Sequence, residues 1–184
     1  MKINTFIIFA LFCGLLISCT KWGSRENSHL IRQAQLLKEQ TPDSALTLLD
    51  AVNTSGFSKA ERAEYNLLQI QAKRNAGMDV SAETGISDAR EYFIRKKDPQ
   101  KAALVCFYAA IVAEQKQTTA AMEYYQEALE FSKNTDNKEL QGKILWAPLK
   151  TPKFSHTYLD LVINHYICLQ IQNSYPNEIF QKTS

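Results

Sequence analysis

With 184 residues, of which 45% are hydrophobic and 22% charged, the chain has the composition of one ordinary globular domain; this excludes a disordered polymer and leaves no room for two full-sized cores. Lysine and arginine number 21 against 19 acidic residues, a balance too even and too scattered to build the phosphate-neutralising face of a nucleic-acid binder. Six glycines and five prolines are too few for the many tight turns of a sandwich or barrel, so the expected class is all-α, with helices joined by short loops.

The chain opens with Lys2 and an apolar run from Phe6 to Phe12 that continues through Leu15-Leu16-Ile17 and stops at Ser18-Cys19-Thr20-Lys21. This is the layout of a secretory signal. The run falls short of the ~20 apolar residues that span a bilayer comfortably, although a short membrane anchor is the competing reading. Leu16-Ile17-Ser18-Cys19 resembles the lipobox of bacterial lipoproteins, which implies that residues 1–18 are removed and that Cys19 becomes an acylated N-terminus. Chemistry favours a cysteine there because its thiolate is a strong nucleophile for a diacylglyceryl group. Two or more acyl chains anchor firmly where one holds only marginally. Thr20 in place of aspartate after Cys19 implies, by the sorting rule of enteric lipoproteins, a periplasm-facing position in the outer membrane. Residues 19–28 read as the lipidated cysteine and a short polar tether. Of the remaining cysteines, Cys106 and Cys168 are able to pair in an oxidising compartment, or Cys106 stays a free buried thiol in its apolar run.

From His29 the apolar spacing is helical. Leu30, Ile31, Ala34 and Leu37 share one face of a first helix. Thr41 is placed to cap a second, with Pro42 at its first position and Ala45, Leu48, Leu49 and Val52 on its apolar face. Ser58-Lys59-Ala60-Glu61 is a capping box that starts a third helix, carrying Ala60, Ala63, Leu67 and Ile70 and stopping near Asn75-Ala76-Gly77. A fourth is expected from Ser81 to Lys96, with Ala82, Ile86, Ala89 and Phe93 in step and Gly85 weakening its first turn. Asp98-Pro99 opens a fifth, apolar throughout Ala102 to Ala113 and therefore expected to be buried on two sides. A sixth runs from Thr119 to Ser132, with Ala121, Tyr124, Tyr125 and Ala128 on one face, and Asp136 to Glu139 cap a seventh that reaches Ala147.

Paired helices of ~15 residues, recurring every ~34 to 40 residues, mark a helical solenoid. Ala121 to Glu130 resembles the second helix of a tetratricopeptide repeat, with the family's alanine, aromatic, alanine spacing met by Ala121, Tyr125 and Ala128. The stretch Leu104 to Gln115 is similar to its partner helix, with Ala109-Ala110 where the family usually shows leucine and glycine. Pro42 to Asp50 resembles the opening repeat of tetratricopeptide lipoproteins of Bacteroides-like bacteria. The resemblance covers residues 29 to 143. It implies a short right-handed solenoid of antiparallel hairpins over residues 29–147, acting as a protein–protein interaction scaffold.

The pattern fails at Ile144-Leu145-Trp146-Ala147-Pro148, with Pro152 close behind. Beyond it, Leu161 to Gln172 fits a helix or an alternating strand. Residues 148–184 are either a divergent cap, which a solenoid needs over its last apolar face, or the product of a frame shift near Gly142. The second alternative makes the chain the sensor or adaptor part of a longer, truncated periplasmic regulator.

No catalytic constellation is present, so the chain is read as a binding protein and not an enzyme, with no cofactor. His29, His156 and His165 lack metal-ligand spacing. Tyr124, Tyr125 and Phe131 sit at core spacing. Arg62, Asn66, Gln69 and Lys73 form a polar stripe on the third helix, opposite much of its apolar face. The stripe is either an ordinary solvated face or, as the tetratricopeptide resemblance implies for the first helix of a pair, a row of donors for a peptide. The expected partners are the membrane, through Cys19, and a peptide segment or envelope protein.

Overall fold

The structure, a computed structural model, describes residues 25–148. Within them lie seven α-helices and no strand: α1 (25–37), α2 (Pro42–Asp50), α3 (Lys59–Asn75), α4 (Gly85–Lys96), α5 (Pro99–Gln115), α6 (Ala120–Ser132) and α7 (Lys138–Trp146). The all-α expectation holds over this span. Cys19, Cys168, His156, His165 and the tail from residue 149 lie outside the described residues. The helices fall into two compact units, one ending at Arg95 and the other beginning at Lys96.

In the first unit small side chains let the helices approach. Ala34, Ala45, Leu49, Leu68 and Ala72 form a buried cluster from α1, α2 and α3, with Ile31, Leu37, Leu46, Leu48 and Tyr65 packed around it. Helices this short are marginal alone in water, so this shared burial is what holds them. Residues 25–28 are already helical, so α1 includes positions ahead of the His29 start that the apolar spacing suggested. Asn27 explains the difference: its amide donates to the Asn53 carbonyl at 2.7 Å and accepts from the Asn53 amide at 3.1 Å, docking the start of α1 beside the end of α2.

Pro42 begins α2 as expected, but the Thr41 side chain makes no capping bond. Its backbone (φ −136°, ψ 68°) departs from the extended geometry that aims a cap hydroxyl at the first turn. Ser58 has that geometry (φ −64°, ψ 165°) and completes the capping box, accepting from the Glu61 amide at 3.3 Å while its own amide donates to the Glu61 carboxylate at 2.8 Å. The Ser58 hydroxyl and amide together hold the Glu61 carboxyl below its ordinary pKa. The end of α3 is a Schellman motif, with Met78 N–H on the Lys73 carbonyl, Gly77 N–H on the Arg74 carbonyl, and Gly77 at φ 73°. The expected fourth helix starts four residues late, leaving Ala82 exposed. The Asp79 carboxylate accepts from the Ser81 amide at 2.8 Å and hydroxyl at 3.0 Å, and this turn competes with helix.

In the second unit Asp98 caps α5, accepting from the Lys101 amide at 3.0 Å, with Pro99 at the first position. Every residue from Ala102 to Ala113 is buried except half-buried Leu104 and Tyr108. Among the described helices α5 packs most extensively against α6. On α6 the three positions Ala121, Tyr125 and Ala128 are fully buried, whereas Tyr124 and Phe131, read as core, are only half so. The Tyr125 ring lies 6.2 Å from that of Phe107, and its hydroxyl donates to the Glu114 carboxylate at 2.7 Å, so a buried phenol keeps a partner. The Cys106 thiol is buried, with its sulfur 3.6 Å from the Glu127 carboxylate. Asn137 caps α7 through the Leu140 amide at 2.9 Å, and the buried Gln141 amide donates to the carbonyls of Ser132 and Thr135, closing the end of α6.

Replacing Tyr125 by alanine removes a ring with no exposed surface together with its hydrogen bond to Glu114; it is expected to cost roughly 3–5 kcal/mol of unfolding free energy in urea. The Tyr124→Ala variant, measured the same way, is expected to lose markedly less.

Candidate functional site

A groove of about 320 Å³ lies between the first half of α3 and the second half of α4. Its position follows from how α4 is tied down. Lys73 pairs with Glu83 at 2.5 Å, and the Asn66 amide donates to the Gly85 carbonyl at 3.2 Å. These contacts advance along the chain in opposite senses, so the segment leading into α4 returns antiparallel beside α3. A methyl group on Gly85 would come within 2.6 Å of the Asn66 amide nitrogen. Only a residue without Cβ allows this approach. Beyond this junction Lys59 and Arg62 on α3 face Asp88, Glu91 and Tyr92 on α4 across the groove.

Of the four stripe residues expected on α3, Arg62 and Asn66 line the groove while Gln69 and Lys73 do not. Three of the four hold the unit together. The Arg62 guanidinium donates to the Thr54 carbonyl at 3.0 Å, Asn66 binds Gly85, and Lys73 binds Glu83 with both side chains about four-fifths buried. Gln69, half-buried, has no side-chain hydrogen bond to another described residue. The stripe is therefore a set of interelement ties as much as a row of donors. The Arg62 bond goes to a neutral carbonyl and not to a carboxylate.

The opposite wall was not singled out from sequence. Asp88, Glu91, Tyr92 and Arg95 recur at i, i+3, i+4 and i+7, the same helical spacing that picks out the α3 stripe. Phe57 closes one end, its ring edge-on to Tyr65 with centroids 5.7 Å apart. The Tyr65 hydroxyl donates to the Leu49 carbonyl at 3.1 Å. Burial first, then the charges of Asp50 and Glu83, push its pKa up, so this phenol stays neutral where an ordinary tyrosine ionises.

Another cavity, of about 530 Å³, lies on the α1 and α2 side, where Leu36 is 74% exposed near Leu48. It contains none of the residues expected to bind. No group of three or more histidine, cysteine, aspartate or glutamate side chains among the described residues is arranged to hold a metal, and none of the described helices is long and apolar enough to cross a membrane. Comparison with protein-family models, with curated proteins and with solved structures finds no match for this chain.

The tight Asn66–Gly85 approach makes a double-mutant cycle informative. Glycine to alanine in a helix ordinarily gains up to roughly 1 kcal/mol, but Gly85→Ala is expected to destabilise the wild-type chain by displacing Asn66. In an Asn66→Ala background the same change is expected to turn neutral or stabilising. Urea denaturation of the four proteins checks this, and simple additivity contradicts the contact.

Proposed function

We propose that the chain is an envelope lipoprotein, held to the membrane by acyl groups on Cys19, whose helical hairpins form a scaffold for protein–protein interaction. In this reading the hairpins stack as a short right-handed tetratricopeptide-like solenoid, and the anchored molecule faces the periplasm from the outer membrane. The partner is a peptide segment or another envelope protein. The observation that carries the reading is the α3–α4 groove, which joins aromatic surface from Phe57 and Tyr92 to charges on both walls. At about 320 Å³ it stands at the small end of the ~300–1,000 Å³ range of ligand pockets, a size for one inserted side chain with its flanking backbone. Grooves of this kind, with an apolar floor and a polar rim, suit a protein segment.

The failure of the repeat pattern at Ile144 to Pro148 supports a second reading, in which the same scaffold is the sensor or adaptor part of a longer regulator. Both assign the groove the same role.

Anchoring and scaffolding are separable by experiment. Cys19→Ala is expected to move the protein from the membrane fraction to the soluble periplasm, and unchanged retention contradicts the anchor. A photo-cross-linking amino acid in place of Gln69 or Tyr92, in intact cells, is expected to yield one defined protein adduct of the membrane-held chain. No adduct from either position contradicts the scaffold.

A further inference from the structure

The two walls of the groove carry opposite charge. On α3, Lys59 stands at the first helical position and Arg62 one turn further, both exposed. On α4, Asp88 and Glu91 are exposed on the facing wall. The charges do not cancel across the gap. Lys59 and Asp88 make no ion pair with any described residue, and Arg62 is tied only to a carbonyl. Glu91 meets Arg95 on its own helix at 3.3 Å, with side chains 75% and 59% exposed. A surface pair this exposed is worth little and yields readily to a competing partner. Between the walls the floor is Ala63, with the rings of Phe57 and Tyr92 beside it.

We propose that this groove recognises a protein segment of mixed charge: an aromatic or large aliphatic anchor seated on Ala63 and Tyr92, an acidic side chain on one flank directed to Lys59 and Arg62, and a basic side chain on the other directed to Asp88. The proposal rests on the scaffold reading and gives its partner a chemistry. Charge complementarity decides the choice. A purely acidic segment meets Asp88 and Glu91 as like charges, a purely basic one meets Lys59 and Arg62, and only a segment with both signs matches both walls. The groove is lined from two helices with exposed charges on both, which suits a peptide segment lying between them. The rings supply apolar contact at low entropy cost, while the charges set specificity and register.

The test uses the full chain purified in detergent and three blocked tripeptides, acetylated and amidated so that no terminal charge contributes: aspartyl-phenylalanyl-lysine, asparaginyl-phenylalanyl-glutamine and aspartyl-phenylalanyl-aspartate. Binding is followed by amide chemical shifts. The mixed-charge peptide is expected to bind about tenfold tighter than either other peptide, a difference of one good charged contact. Its shifts are expected to cluster at residues 57–66 and 88–95. In Asp88→Lys, which makes both walls basic, the preference is expected to pass to the doubly acidic peptide. Equal binding of all three, or a preference that Asp88→Lys leaves unchanged, overturns the mixed-charge assignment. So does binding of the free zwitterionic tripeptide in place of its blocked form, which would mark a small-molecule site. If the peptides fail while cross-linking from Gln69 still captures one defined envelope protein, the assignment falls and the scaffold stands. If the mixed-charge peptide binds while no adduct forms in cells, the groove chemistry stands and the scaffold falls.

Discussion

The Asn66 amide resting on the Gly85 carbonyl is the contact on which the candidate site depends. It fixes where α4 begins beside α3, and with Lys73–Glu83 it sets the direction in which α4 returns. Past that junction the helices leave a gap whose walls are the outward faces of two amphipathic segments. Glycine is the least helix-favouring residue short of proline, and Gly85 occupies a position where a Cβ would strike the Asn66 side chain. Asn66 thereby has a structural duty and a place in the groove at once. Arg62 has the same double character, holding Thr54 while lining the groove.

The second unit is held differently. Its organising contact is apolar: α6 presents Ala121, Tyr125 and Ala128 with no exposed surface, and α5 is buried along nearly its whole length. Alanines bring the backbones close, and the tyrosine fills the space beside them. Polar groups drawn into this packing find partners, as Tyr125 does in Glu114 and Gln141 in two carbonyls at the end of α6. The first unit has a small cluster shared by α1, α2 and α3, and the groove lies in that unit.

Most helices were legible because local signals agreed with the apolar period. The Ser58–Glu61 box, Pro42, Asp98-Pro99, Asn137 and Gly77 each mark an end that the structure has. Two departures share one cause, which is that a side chain found a partner the period does not reveal: Asn27 met Asn53 beside α1, and Asp79 met Ser81 and delayed α4. Thr41 departs for another reason, a cap position with the wrong backbone angles. The α3 stripe was visible as spacing, but spacing does not tell a solvated donor from one that bonds a neighbouring loop. Lys73 is turned to Glu83, Gln69 lies outside the groove, and α4 supplies the wall that completes it. Opposite charge on two helices is readable only after the fold pairs them.

The central claim is that the α3–α4 groove is the recognition surface of a membrane-held scaffold. Hydrogen exchange, compared between the chain in its native envelope fraction and the same chain purified, tests it most directly. The account predicts slower exchange in the envelope at residues 59–66 and 88–95, with α6 unchanged. Identical exchange in both preparations, or protection confined to helices away from the groove, would contradict it.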